Sequence, residues 1–172
     1  MNNQQLQITI EDERWLQALP EVEDLSSEVA DKVLAWILSH EDLDLFHLNL
    51  PLFINLSLSN DEQVRSLNKE YRSLDKSTNV LSFANIDDED FLAECELYDE
   101  IQLGDIIIAL ETMQREAAEQ EVTFRDHYCH LLVHGLLHIL GYDHMEAEEA
   151  AEMEACEAAI LQLMNIKNPY ED

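Results

Sequence analysis

The segment "VHGLLHILGYDHM", residues 133–145, spaces His134, His138 and His144 like a set of metal ligands. Successive helical residues advance by ~100°, so His134 and His138, four apart, lie about 40° from one another on one face. Both imidazoles then point at a single ion. His130 falls on the same stripe and His127 close to it. A straight helix still cannot deliver three ligands to one cation. His130 to His138 spans ~12 Å at a rise of ~1.5 Å per residue, whereas Zn–N bonds are only ~2 Å. The third ligand must come from chain that turns back, and Gly141 supplies the turn. Glycine takes the left-handed conformation that ends a helix, which most side chains disfavour. His144 follows.

The chain has only three glycines, and Gly135 and Gly141 both lie in this motif. A helical histidine pair alone more often belongs to a surface or a core than to a metal. The glycine break and the offset of His144 reverse that balance and point to one metal ion. Three neutral imidazoles suit Zn²⁺, although Ni²⁺, Co²⁺ or Cu²⁺ would also bind them. Three protein ligands leave a fourth position open for water, the mark of a catalytic zinc. Such a site lowers the pKa of its water from 15.7 to about 7. Asp143 is either a residue that orients a ligand histidine or an exposed turn residue.

The spacing His-x3-His-x2-Gly-x2-His matches a metalloprotease signature except that Gly135 stands where the glutamate base belongs. A general base is typically worth ~10²- to 10⁴-fold, so peptide hydrolysis is disfavoured. A phosphodiester makes a different demand. Charge builds on phosphoryl oxygens, and a metal with an arginine stabilises it. Arg65, Lys69, Arg72 and Lys76 recur at helical intervals in "NDEQVRSLNKEYRSLDKS", residues 60–77, with Val64, Leu67, Tyr71 and Leu74 opposite. Four of the nine basic residues thus fall on one stripe. It reads as either a solvated helix face or a phosphate track.

The elements that must hold these residues follow from hydrophobic period and cap chemistry. Strands are expected at 6–10, 51–59, 78–84 and 105–110. Helices are expected at 25–40, beginning with a Ser-x-Glu cap signal, and at 62–72, capped by Asn60 or Asp61. Others are expected at 111–121, at 123–140 as a mostly apolar central helix carrying the histidines, and at 145–164. The acidic run 85–100 reads as a solvated surface loop. The fold class is α+β, a small four-stranded sheet covered by helices on one side. No repeat or linker divides the chain, so residues 1–172 are expected to form one domain.

The net charge of −29 excludes loose, non-specific attachment to nucleic acid or an anionic membrane, but not a locally basic cleft. No apolar run approaches the ~20 residues of a membrane span, and the start lacks the features of a signal peptide. Cys95, Cys129 and Cys156 read as reduced thiols of a cytosolic protein.

"LNKEYRSLDKSTNVLSF", "LGDIIIA" and "HGLLHILGYDH", in that order, resemble the YbeY family of bacterial and organellar endoribonucleases, over roughly residues 50–160. The resemblance implies a single-strand-specific, metal-dependent ribonuclease. Its expected work is ribosomal RNA maturation, notably at the 3′ end of small-subunit rRNA, and ribosome quality control. It further implies a small mixed sheet, one zinc on His134, His138 and His144, a functional arginine at Arg72, and a cytoplasmic location. Leu74 replaces a lysine usual in the family, and Ser77, Thr78 and Asn79 replace Pro-Thr-Asp. For RNA to bind, Glu146, Glu148, Glu149, Glu152, Glu154 and Glu157 must face away from its path.

Three functions are compatible with these residues. The first is a zinc endoribonuclease in which Arg72 holds the scissile phosphate and the metal activates either a water nucleophile or a 2′-hydroxyl. The second is a non-catalytic, zinc-containing ribosome assembly factor whose acidic segment 87–100 contacts a basic ribosomal protein of the small subunit. The third, a metalloprotease, conflicts with Gly135.

Overall fold

The computed structural model describes residues 4–142 and 146–171. Four strands form a mixed sheet in the order β1-β2-β4-β3. β1 (Gln4–Ile10) runs parallel to β2 (Leu52–Ser59), which runs parallel to β4 (Ile101–Ala109). β3 (Val80–Ala84) closes the other edge antiparallel to β4, with Ser82 opposite Ile106. The alternation read in the sequence is the physical alternation of the sheet. Leu52, Ile54, Leu56 and Leu58 of β2 are fully buried, one residue in two.

Among the described residues seven helices connect and cover the strands: α1 (Arg14–Ala18), α2 (Val22–His40), α3 (Asp61–Arg72), α4 (Phe91–Tyr98), α5 (Leu110–Glu119), α6 (Phe124–Ile139) and α7 (Ala147–Gln162). α6 is the central helix that the sequence predicts. Thr123 caps it by accepting from Asp126 N–H at 3.0 Å, and most of its residues are buried. The Tyr128 hydroxyl meets Ser26 Oγ of α2 at 2.6 Å, and the Trp15 ring packs on Tyr128 and Phe124. Ser26 is therefore a buried tie inside α2, which starts four residues earlier than its cap-like signal suggests.

Two expectations need correction. The helices do not all lie on one side of the sheet. Ile106 and Ile108 of β4 join the main core, while Ile107 and Ala109 point the other way and pack with Leu81 and Val64 beneath α3. The segment 85–100 is not only a loop. A 3-10 turn (Asn85–Asp87) leads into α4, which buries Phe91 and Cys95. Two buried side chains on adjacent turns are enough to fold an otherwise acidic stretch against the core. All three cysteines are free and buried, and burial pushes the Cys129 thiol up to about 12. Among the described residues no helix is long and apolar enough to cross a membrane.

Candidate metal and phosphate site

His134 and His138 project from consecutive turns of α6, with ring centres 5.6 Å apart and planes 84° from parallel. They line one cleft, of about 340 Å³, together with Arg72, Asn68, Lys76 and Asn79. α6 supplies one wall, β3 the floor, and the end of α3 with its following turn the other wall. His144 and Asp143 lie outside the described residues. Among the described residues no group of three or more histidine, cysteine or carboxylate side chains forms a candidate metal cluster.

The pair itself fits a zinc ion. With Zn–N bonds of 2.0–2.1 Å, each ring centre lies about 3.2 Å from the ion, and a tetrahedral pair of rings is separated by about 5.2 Å. The observed 5.6 Å is close to that. The end of α6 has the predicted form. Gly141 adopts φ +107°, Tyr142 N–H donates to Leu137 O at 3.0 Å, and Gly141 N–H donates to His138 O at 3.1 Å. These bonds satisfy carbonyls that a helix end leaves open and end α6 at Gly141.

Gly135 answers the question raised by the missing glutamate. It is buried, and a Cβ added to it would stand 3.1 Å from Ile106 Cγ2 and 3.3 Å from Ser82 Oγ. The position beside His134 thus faces the sheet where α6 rides on β3 and β4. A glutamate there would press on both neighbours and carry its carboxylate into the buried helix–sheet contact. The packing disfavours the protease arrangement.

The basic stripe is only partly preserved. α3 is capped by Asn60, whose side chain accepts from Gln63 N–H at 2.9 Å. It ends at Arg72 because Ser73 turns left-handed at φ 58°. Lys76 therefore leaves the helical stripe, yet it returns to the same cleft because Asn68 Nδ2 donates to the Lys76 carbonyl at 2.9 Å. Arg65 pairs with Asp75 at 2.7 Å and is neutralised there. Arg72 Nη2 donates to Ser82 O at 2.9 Å, and its guanidinium lies 5.2 Å from the Phe83 ring centre. A backbone carbonyl and an aromatic face fix its direction.

The Endoribonuclease YbeY family model matches residues 5–165. The chain belongs to the YbeY endoribonuclease family. Relatives named Endoribonuclease YbeY include those of Paramagnetospirillum magneticum, 42% identical over 91% of this chain and 89% of the relative, and Agrobacterium fabrum, 42% identical over 96% and 94%. The fold is also that of the Thermotoga maritima protein TM1509 in its solution structure. The TM-score is 0.54 at 20% identity, over 98% of this chain and 97% of that one.

Asn79 uses its amide to donate to both oxygens of Glu116, at 3.0 and 3.2 Å. An aspartate would set two carboxylates against each other. Glu116 Oε1 also lies 2.9 Å from Nε2 of His127, so that histidine is a packed partner of α5.

Unlike the other glutamates of α7, which are exposed, Glu157 is fully buried behind α6. Its Oε1 lies 2.8 Å from His130 Nε2 and 3.0 Å from the Tyr170 hydroxyl, and its Oε2 lies 3.4 Å from His134 Nδ1. Burial raises a carboxyl, but the contacts with His130 and His134 outweigh it and hold Glu157 at about 2. A signal existed in the sequence. Glu157 lies between Met153 and Ile160 on the apolar stripe of α7, the place for a partnered carboxylate and not a solvated one.

Proposed function

We propose that this protein is a zinc-dependent, single-strand-specific endoribonuclease of ribosomal RNA maturation, acting at the 3′ end of small-subunit rRNA and in ribosome quality control in the cytoplasm. The observation that supports this most is the shared cleft of His134, His138 and Arg72, with Lys76 beside them. A nuclease of the chain's family needs a cation and a guanidinium on one phosphate, and that cleft juxtaposes the residue types required.

One zinc, when bound by His134, His138 and His144, supplies electrophilic stabilisation of phosphoryl charge and acidifies water. The rest is done by the chain's own groups. Arg72 commits one N–H to Ser82 O among the described partners and offers its remaining fork to the phosphate. Lys76 adds a second positive charge on the wall of a cleft in a chain that is otherwise strongly acidic, so RNA is drawn to this groove and repelled elsewhere. Asn68 holds the turn that forms one wall, and Asn79 the start of the strand that forms the floor.

The test is cleavage of single-stranded RNA by the purified chain with and without chelator, beside His134→Ala and Arg72→Ala. Cleavage should vanish with chelator and in His134→Ala, and Arg72→Ala should lose roughly 10²- to 10³-fold, as for removal of one charge-stabilising donor. Full zinc occupancy without cleavage of any RNA would refute the catalytic reading.

A second reading, a non-catalytic assembly factor that docks a basic ribosomal protein, is favoured by one observation. α4 exposes Leu92, Leu97 and Tyr98 among its acidic neighbours.

A further inference from the structure

We infer that Glu157 is a positioning residue for His134: its buried carboxylate accepts from Nδ1–H and leaves Nε2 as the nitrogen that faces the metal. This deepens the zinc reading above and rests on it. A carboxylate inside a core is tolerated only when donors surround it. Glu157 has three, on α6 and on the C-terminal segment: His130 Nε2, His134 Nδ1 and the Tyr170 hydroxyl.

The two histidines meet this carboxylate through opposite ring nitrogens, and that difference separates their roles. His130 spends Nε2 on Glu157 and turns its far nitrogen inward, so it cannot serve as an Nε2 ligand although it lies on the metal-facing stripe. His134, one turn on, meets the carboxylate through Nδ1 and lines the cleft with Arg72. A carboxylate behind a ligand imidazole fixes its tautomer, orients its ring and strengthens its lone pair. Tyr170 fixes the carboxylate in turn by donating to Oε1. The last residues of the chain thereby tie into the site from behind.

The alternative is that Glu157 only fastens α7 and the C-terminal segment to α6. The two are separated on the full chain by two measurements. The first is the histidine tautomer of the metal-free wild type, read by long-range ¹H–¹⁵N correlation at a pH where the imidazole is neutral. His134 is expected protonated on Nδ1, and protonation on Nε2 overturns the inference whatever the variants do. The second is zinc affinity by competition with a chromophoric chelator for wild type, Glu157→Gln and Glu157→Ala, each checked for native circular dichroism.

Glu157→Ala is expected to bind zinc about 10- to 100-fold more weakly. Glu157→Gln, whose amide oxygen still accepts from Nδ1, should fall between it and wild type. Folded variants with a lowered Tm and unchanged zinc affinity would show a fastening role only and overturn the inference. If both variants fail to fold, the wild-type tautomer alone decides. A wild type that binds no zinc refutes the metal reading itself, a result distinct from tight wild-type binding that the variants leave intact.

Discussion

Gly135 is where a single methyl group tests how closely α6 rides on the sheet. A Cβ there would meet Ile106 Cγ2 at 3.1 Å, Ser82 Oγ at 3.3 Å and Ile106 Cδ1 at 3.4 Å. All three are inside the ~3.5–4.0 Å at which carbon atoms attract, so neighbours must yield by a few tenths of an ångström. Ile106 is fully buried on β4 between β2 and β3 and has nowhere to retreat. Two contributions then oppose each other. Alanine for a mid-helix glycine gains about 0.8–1.0 kcal/mol, and overpacking a well-packed core costs about 1–3 kcal/mol. Packing wins, and Gly135→Ala should lose about 1 kcal/mol, or roughly 2–4 °C in Tm for a chain of this size.

Ile106→Val removes Cδ1 and lets Cγ2 move. In that background the alanine should cost less, with a coupling of about 0.5–1 kcal/mol. Gly135→Glu adds an unpaired buried carboxylate worth several kcal/mol, against a total stability of about 5–15 kcal/mol, and should not accumulate folded. Urea unfolding followed by circular dichroism reads all of these. If Gly135→Ala were stabilised by the full helix-propensity gain, the close approach of α6 would be refuted. Casein cleavage by the wild-type chain would restore the protease reading.

Partial burial raises the Asp61 carboxyl, but the Thr112 hydroxyl and N–H and the Arg115 guanidinium outweigh it and hold it below the usual carboxylate range. Its contribution is thus present above the unfolded value of about 3.9 and lost as pH falls through the lower folded one; Asp61→Asn should cost about 1 kcal/mol at pH 7 and progressively less as the pH falls below about 3.9, by urea titration across that range. Gly141→Ala meets only Ile86 Cδ1, at an ordinary 3.9 Å, so its expected loss of about 1–2 kcal/mol comes from the positive φ alone. A loss near zero in thermal unfolding would show that the turn relaxes. Zinc at a hundredfold excess over its Kd should stabilise the chain by about 2.7 kcal/mol, and His134→Ala should abolish the Tm rise.

Much of the frame was legible in the chain because its signals are local. Thr123 and Asn60 cap their helices, Gly141 ends α6, and alternation marks β2. Each of these is decided by neighbours within a turn or by a fixed side-chain period. The helical spacing of His134 and His138 belongs to the same class.

What the chain could not announce was which faces meet. Ser73 turning left-handed removes Lys76 from the stripe, and only the return of that turn across Asn68 brings it back to the cleft. Arg72 finds its direction in Ser82 O and Phe83, both on β3. Glu157 is marked by its place on the apolar stripe of α7, but its partners are set by the packing of that helix against α6, which brings it behind His134. Residue types and their periodicity come from local geometry, but the packing angle between two helices or between a helix and a sheet depends on every side chain in the contact. That is why the histidine spacing was readable in sequence while the reason for Gly135 and the partners of Glu157 were settled only when α6 met β4 and α7.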